Sequence, residues 1–154
     1  MSAVYDKQGL HFEYPENWTL DESAATDGEV TVNSPGGGFW SVVVCGSADD
    51  PRKYAESSLS AMREEYEQLD VEPVEETVAG HRLTGYDLNF FCMDLTNSAR
   101  IRAVRTLDAV LLILCQAEDR EFDHAAPVYA AMTTSLLSHA RPIKAADWPP
   151  RKNT

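Results

Sequence analysis

Leu10, Phe12 and Tyr14 alternate with His11 and Glu13, a period of two that predicts a half-buried strand; Pro15 ends it and Trp18 follows as a large apolar anchor. Residues 21–28 are small and polar and read as a loop, after which Glu29, Val30, Thr31, Val32 and Asn33 resume strand alternation. Ser34, Pro35 and the three glycines 36–38 form a hairpin turn. They lie between two strands and lack the Lys-Ser/Thr and following helix of a phosphate-binding loop, so the glycines serve tight backbone geometry. Residues 39–45 are almost continuously apolar, which predicts a strand buried on both faces for most of its length.

The period then changes. Asp49, Asp50 and Pro51 provide a capping carboxylate and a proline suited to the first helical position. Ala55, Leu59, Met62, Tyr66 and Leu69 form one apolar stripe, which predicts a helix to about Leu69, with Glu56, Arg63, Glu64, Glu65 and Glu67 on its solvated face. Residues 71–78 read as a strand whose Pro73 places it near a sheet edge, and Ala79-Gly80 turns the chain. Residues 81–93 put Tyr86, Leu88, Phe90 and Cys92 on one face and Asp87 and Asn89 on the other. After a turn at 94–97, residues 98–106 put Ala99, Ile101 and Ala103 opposite Arg100 and Arg102, and Leu107-Asp108 leads into an apolar strand over 109–117. These three strands make an antiparallel meander. Residues 118–121 are a polar connection to a second helix over 122–138, capped by Asp123, with Val128, Met132 and Leu136 facing inward. Pro127 either sits in its first turn or costs one backbone bond. Residues 1–140 form a single domain. Residues 141–154 are a proline-rich basic tail without regular structure, whose Trp148 either packs back on the domain or serves as a recognition motif.

A chain of 154 residues, 44% hydrophobic and 25% charged, buries a sufficient core without disulfide or metal staples. The longest apolar run, residues 109–115, is too short to span a bilayer, so no membrane insertion is expected. The first residues lack a basic segment followed by an apolar one, which argues against a signal peptide and for cytoplasmic residence. Cys45, Cys92 and Cys115 each lie in apolar stretches without CxxC spacing, the setting of buried free thiols. A net charge of −12 repels phosphate backbones; nucleic acid is not the expected partner, and a basic protein partner or simple solubility is.

Catalytic chemistry has little to stand on in this pattern. His11, His81, His124 and His139 are scattered, without HxH, HExxH or Cys-His spacing. His11 and Glu13 share a strand face but make only half a metal site. Ser57, Ser58 and Ser60 lie on the first helix with no base nearby in sequence, and Glu118, Asp119, Glu121 and Asp123 lack the glycine and spaced oxygens of a calcium loop. No catalytic residue, metal ligand or cofactor is expected. One surface feature rises above this background: Arg82, Arg100, Arg102 and Arg105, four of the thirteen lysines and arginines, fall on two adjacent strands. Pairing with Asp87 and aliphatic stems lying over the sheet account for them structurally. A basic strip formed by Arg100 and Arg102 and extended by Arg82 would instead bind an acidic or peptide partner.

Phe12-x-Tyr14-Pro15-x-x-Trp18, paired strands, a helix, long antiparallel strands beginning near Gly80, and a closing helix ending in Ser135-Leu136-Leu137 resemble the PsbP-like superfamily over residues 4–138. That grouping includes the photosystem extrinsic P subunit, the yeast Ran-binding nuclear import factor and bacterial Eag chaperones of secretion effectors. The resemblance implies an α+β fold, an α/β/α sandwich with a central antiparallel sheet, in a family that mostly binds proteins and lacks catalysis. The photosystem subunits carry transit sequences and lipoprotein members carry signal peptides, and this chain shows neither pattern. The expected function is a non-catalytic cytoplasmic interaction or adaptor domain, chaperone-like, for a protein or peptide partner. The alternative is an enzyme or small-ligand-binding protein whose site is assembled from residues distant in sequence.

Overall fold

The computed structural model describes residues 1–46 and 49–144, and every sheet pairing among these residues is antiparallel. Strands β1 (Ser2–Lys7) and β2 (Leu10–Pro15) form a separate hairpin. Seven strands form the main sheet: β3 (Thr19–Asp21), β4 (Glu29–Asn33), β5 (Phe39–Val44), β6 (Leu69–Val78), β7 (His81–Cys92), β8 (Leu95–Arg105) and β9 (Val110–Glu118), in the order β3-β4-β5-β9-β8-β7-β6. Helix α1 (Pro51–Glu65) lies on β7, β8 and β9, and helix α2 (Asp119–Ser138) lies with the hairpin on the opposite face. The result is the expected α+β sandwich with a central antiparallel sheet.

Strand alternation divides the apolar side chains between two cores. Val30, Val32, Trp40, Val42, Ile113 and Cys115 face α2 and the hairpin, where Phe12, Tyr129, Met132 and Leu136 meet them. Leu88, Phe90, Ala99, Ile101, Ala103 and Leu112 face α1, beneath Ala55 and Leu59. Trp40 is fully buried; its indole N–H donates to Thr133 Oγ1 at 3.0 Å and its ring lies 4.9 Å from that of Phe12, which fastens the hairpin and α2 to the same point of the sheet.

Several boundaries differ from the sequence-based expectation. Strands β1 and β3 fall where no strand is expected. Helix α1 stops at Glu65, where Tyr66 turns into extended backbone, and Leu69 opens β6 instead of closing the helix. Tyr66 and Leu69 still reach the α1-side core, the Tyr66 ring lying 4.1 Å from that of Phe90, because the chain leaves the helix along the same face. Helix α2 starts at Asp119, and its cap is Glu118, which accepts from the backbone N–H groups of Arg120 and Glu121; Asp123 is inside the helix. Pro127 is also internal and removes the donor that would have reached the Asp123 carbonyl. The first tail residues are held in place: Pro142 bridges to Thr106, the Leu107 N–H donates to the Arg141 carbonyl, and Arg141 pairs with Asp108. Trp148 and the rest of the tail lie outside the described residues. Among the described residues, no helix is long and apolar enough to cross a membrane.

The three cysteines are free, but only Cys115 is buried; Cys45 and Cys92 are half-buried, a partial correction to the expectation that all three are enclosed. Burial pushes the Cys115 thiol up to about 12 and is also the main cause raising the Tyr129 hydroxyl. Both groups hold their proton more tightly folded than unfolded, so the associated stability is fully present below the unfolded pKa values of about 8.5 and 10 and is lost as pH rises toward the folded ones. Stability measured by urea denaturation should therefore fall from about pH 9 upward, by as much as ~1.4 kcal/mol per pH unit from the thiol alone. Cys115→Ala should flatten that slope; an unchanged slope would place this thiol in contact with water.

Candidate functional site

The four arginines do not form one strip. Register pairs Asp87 with Arg100 and Leu83 with Val104, so Arg100 and Arg102 project to the α2 side together with Leu83, and Arg82 and Arg105 project to the other side near the end of the ribbon. Arg102 is only 7% exposed. Its Nε donates to Glu76 at 2.8 Å and its Nη2 to Asp87 at 2.7 Å, while Nη1 donates to the carbonyls of Tyr86 and Ile101 at 3.2 and 3.1 Å. Burial alone would lower the pKa of this guanidinium, but the bonds to Glu76 and Asp87 outweigh it and hold the group above the ordinary arginine value. Gly85 stands directly across from Arg102, and a Cβ there would collide with the Ile101 carbonyl. Arg100 is looser. Its guanidinium lies 5.0 Å from the Phe122 ring centroid and its Nε 3.9 Å from Asp87.

Arg82 and Arg105 belong to a pocket of about 170 Å³ where β7 begins and β8 ends, lined also by Thr77, Gly80, His81 and Lys144. His81 is 3% exposed, and its Nε2 lies 2.9 and 3.1 Å from the carbonyls of Leu137 and Ala140. Both partners are acceptors, so Nε2 carries the proton. Nδ1 is buried without a hydrogen-bond partner among the described residues. Arg82 pairs with Glu75 at 3.3 Å. Sequence reasoning put both arginines in a binding face, set His81 aside as one of four scattered histidines and did not single out Lys144; the signal lay in the chain reversal at Ala79-Gly80, which brings His81 to the end of the sheet where β8 also ends.

The opposite end of the same ribbon is apolar. Phe91, Met93 and Leu95 are 65%, 90% and 53% exposed around the β7–β8 turn. Met93 and Asp94 both occupy the left-handed region, with φ of 53° and 63°, a conformation that aspartate tolerates in turns and that is disfavoured for methionine. Carboxylates surround the tip: Glu64 and Glu65 end α1, Glu67 follows, Asp70 pairs with Asn89, and Glu118 pairs with Asn97. Asp119 accepts from Ser98 Oγ at 2.8 Å, and Arg63 and Arg120 are the cations on the neighbouring helix ends.

Of the remaining histidines, His124 is exposed on α2 and the other two meet each other. The His11 ring stacks on His139 with centroids 3.9 Å apart, while Glu13 is exposed and its backbone N–H donates to Ser135 Oγ. Among the described residues, no group of three or more His, Cys, Asp and Glu side chains is placed to hold a metal ion.

This is the PsbP-like fold. The structure superimposes on cyanobacterial PsbP from Synechocystis sp. PCC 6803 with a TM-score of 0.61 and 12% identity, covering 87% of this chain and 90% of that one. It also matches PA94, a protein of unknown function from Pseudomonas aeruginosa, with a TM-score of 0.53 and 13% identity over 88% of this chain and 95% of that one. LpqN, involved in cell envelope biogenesis of Mycobacterium tuberculosis, matches with a TM-score of 0.52 and 13% identity over 86% and 87% of the two chains. No family model matches the sequence, and no curated protein does.

The geometry separates the two arginines of β8 energetically. Arg102→Gln should cost about 2–3 kcal/mol, because charge-assisted bonds and two buried carbonyl contacts are lost together. Arg100→Gln removes a long, partly solvated ion pair and should cost less than about 1 kcal/mol. Urea denaturation of both variants checks this, and equal small losses would put the Arg102 guanidinium in water.

Proposed function

We propose that this chain is a non-catalytic, cytoplasmic protein-interaction or adaptor domain, and that its contact surface is the apolar end of β7 and β8. The observation that carries the reading is the exposure of Phe91, Met93 and Leu95 together on a turn bordered by carboxylates. Scattered apolar residues are ordinary on a surface; three on one turn, in a chain of net charge −12, are not. Phe and Met are residues of interface centres, and a charged rim sets encounter rate and orientation. The partner that fits is a protein surface with an apolar recess edged by lysine and arginine.

Two further observations support the reading. The perturbed groups Cys115 and Tyr129 are shifted upward by burial, which makes both less reactive at neutral pH. The free state of Cys45, Cys92 and Cys115 suits a reducing compartment.

The test uses the full chain as bait in extract of its source cells, beside a Phe91→Ser/Met93→Ser variant and an Asp70→Lys/Asp94→Lys variant. Loss of interface-centre side chains should reduce recovery of the specific partner about tenfold or more. The substitutions are at exposed positions, so stability should change by no more than about 0.5 kcal/mol. The charge-reversed variant should associate more slowly, with weaker salt dependence. Equal recovery by all three baits would remove this end from the functional account. The small-ligand reading is favoured by a separate feature, the basic pocket at the other end.

A further inference from the structure

We propose that the pocket between the β6–β7 turn and the end of β8 binds a small phosphomonoester through its phosphoryl group. Arg82, Arg105 and Lys144 line one pocket in a protein whose net charge is −12. Guanidinium groups present paired donors matched to phosphate oxygens, and the lysine adds a compact positive charge. The carboxylates of the apolar end do not cancel this field. The twelve residues of β7 separate the two ends by roughly 40 Å, at ~3.3 Å per residue, which is several times the ~8–10 Å Debye length at physiological salt.

His81 is the second, independent observation. The residue is 97% buried in the pocket wall by its 3% exposure, its Nε2 is committed to the carbonyls of Leu137 and Ala140, and its Nδ1 has no hydrogen-bond partner among the described residues. A buried polar atom without a partner is costly. With its proton on Nε2 the ring leaves Nδ1 as an acceptor, and a phosphoryl P–O–H can donate to it, since the second phosphate proton titrates near pH 6. A carboxylate or sulfate at neutral pH has no proton to donate. Pro142 and Ile143 complete the wall and give an ester's organic group an apolar surface. The volume of about 170 Å³ lies below the ~300–1,000 Å³ of drug-sized sites, so the ligand is small.

Glu75, 3.3 Å from Arg82, competes for that guanidinium and supplies a gain-of-binding test. The full chain is titrated with inorganic phosphate and with phenyl phosphate at constant ionic strength, followed by amide ¹H-¹⁵N chemical shifts. Saturable shifts are expected at residues 77–82 and not at 91–95, with phenyl phosphate binding at least as tightly as phosphate. Arg82→Gln and Lys144→Gln, both at exposed positions, should each weaken binding about tenfold. Glu75→Gln should tighten it several-fold, while Glu64→Gln, at the far end, leaves it unchanged. Absence of saturable shifts at 77–82, or equal affinity in the wild type and both cation variants, would overturn the site. Binding of inorganic phosphate without binding of the ester would overturn the ligand class. Because Phe91 and Met93 play no part here, failure at this pocket leaves the apolar-end reading standing, and the reverse.

Discussion

The Arg102 guanidinium is the interaction on which the edge of this sheet depends. Strand β6 is the terminal strand, much of it exposed, and Pro73 deprives it of one ladder donor. Besides the backbone ladder, the packing of Leu69, Val71 and Val78 and the exposed Arg82–Glu75 pair, what ties it inward is Glu76, held by Arg102 from two strands away. The same guanidinium holds Asp87 and two carbonyls, so one side chain of β8 fastens β6, β7 and its own strand. Gly85, directly across, lets β7 and β8 approach this closely, because a Cβ there would collide with the Ile101 carbonyl. The half-exposed carboxylates lie toward water and the guanidinium lies inward, which limits the desolvation cost to one ion. Both candidate surfaces are ends of this fastened ribbon.

Much of the architecture was legible because most strands here obey simple periodicity. Strand β4, the hairpin turn before β5, the α1 cap and the β7–β8–β9 meander fall where apolar alternation and turn residues put them. The errors came from places where one pattern served two elements. Tyr66 and Leu69 continue the α1 stripe by spacing, yet they pack from the connection and from β6, since the chain leaving the helix follows the same core face. Strand β1 lacks a clean apolar alternation, with Tyr5 its one buried residue, and draws its stability from pairing with β2.

The arginines show the limit of alternation more sharply. A strand with Ala99, Ile101 and Ala103 on one side and Arg100 and Arg102 on the other reads as half-solvated, which holds for a sheet covered on one face. Strand β8 is interior and covered on both, so the polar side of the pattern is a partly buried ion-pair layer beneath α2, with Arg102 at its inner edge. A glycine in the middle of the long β7 is the local sign of close approach, and it pointed to this layer. Which face Arg82 shares depends on register across the Ala79-Gly80 turn, and one residue of shift exchanges the faces of a strand.

Covering both faces of the sheet also decides where this protein can meet anything else. Helices and hairpin cover most of both faces of the interior strands, and much of the ribbon's exposed chemistry lies on the edge strand β6 and at the turns at its ends. There the two ends diverge because different neighbours arrive. The β7–β8 turn meets the C-terminus of α1 and the start of α2, where Glu64, Glu65 and Asp119 lie; of these only Asp119, in the first turn of α2, suits a helix dipole. The β6–β7 turn meets the end of β8 and the chain after α2, which bring Arg105 and Lys144. A net charge of −12 thus conceals a polar molecule, acidic around an apolar tip and basic around a pocket. Separated by several screening lengths and joined by a ribbon that Arg102 holds in register, the two ends can recognise opposite chemistries without either weakening the other.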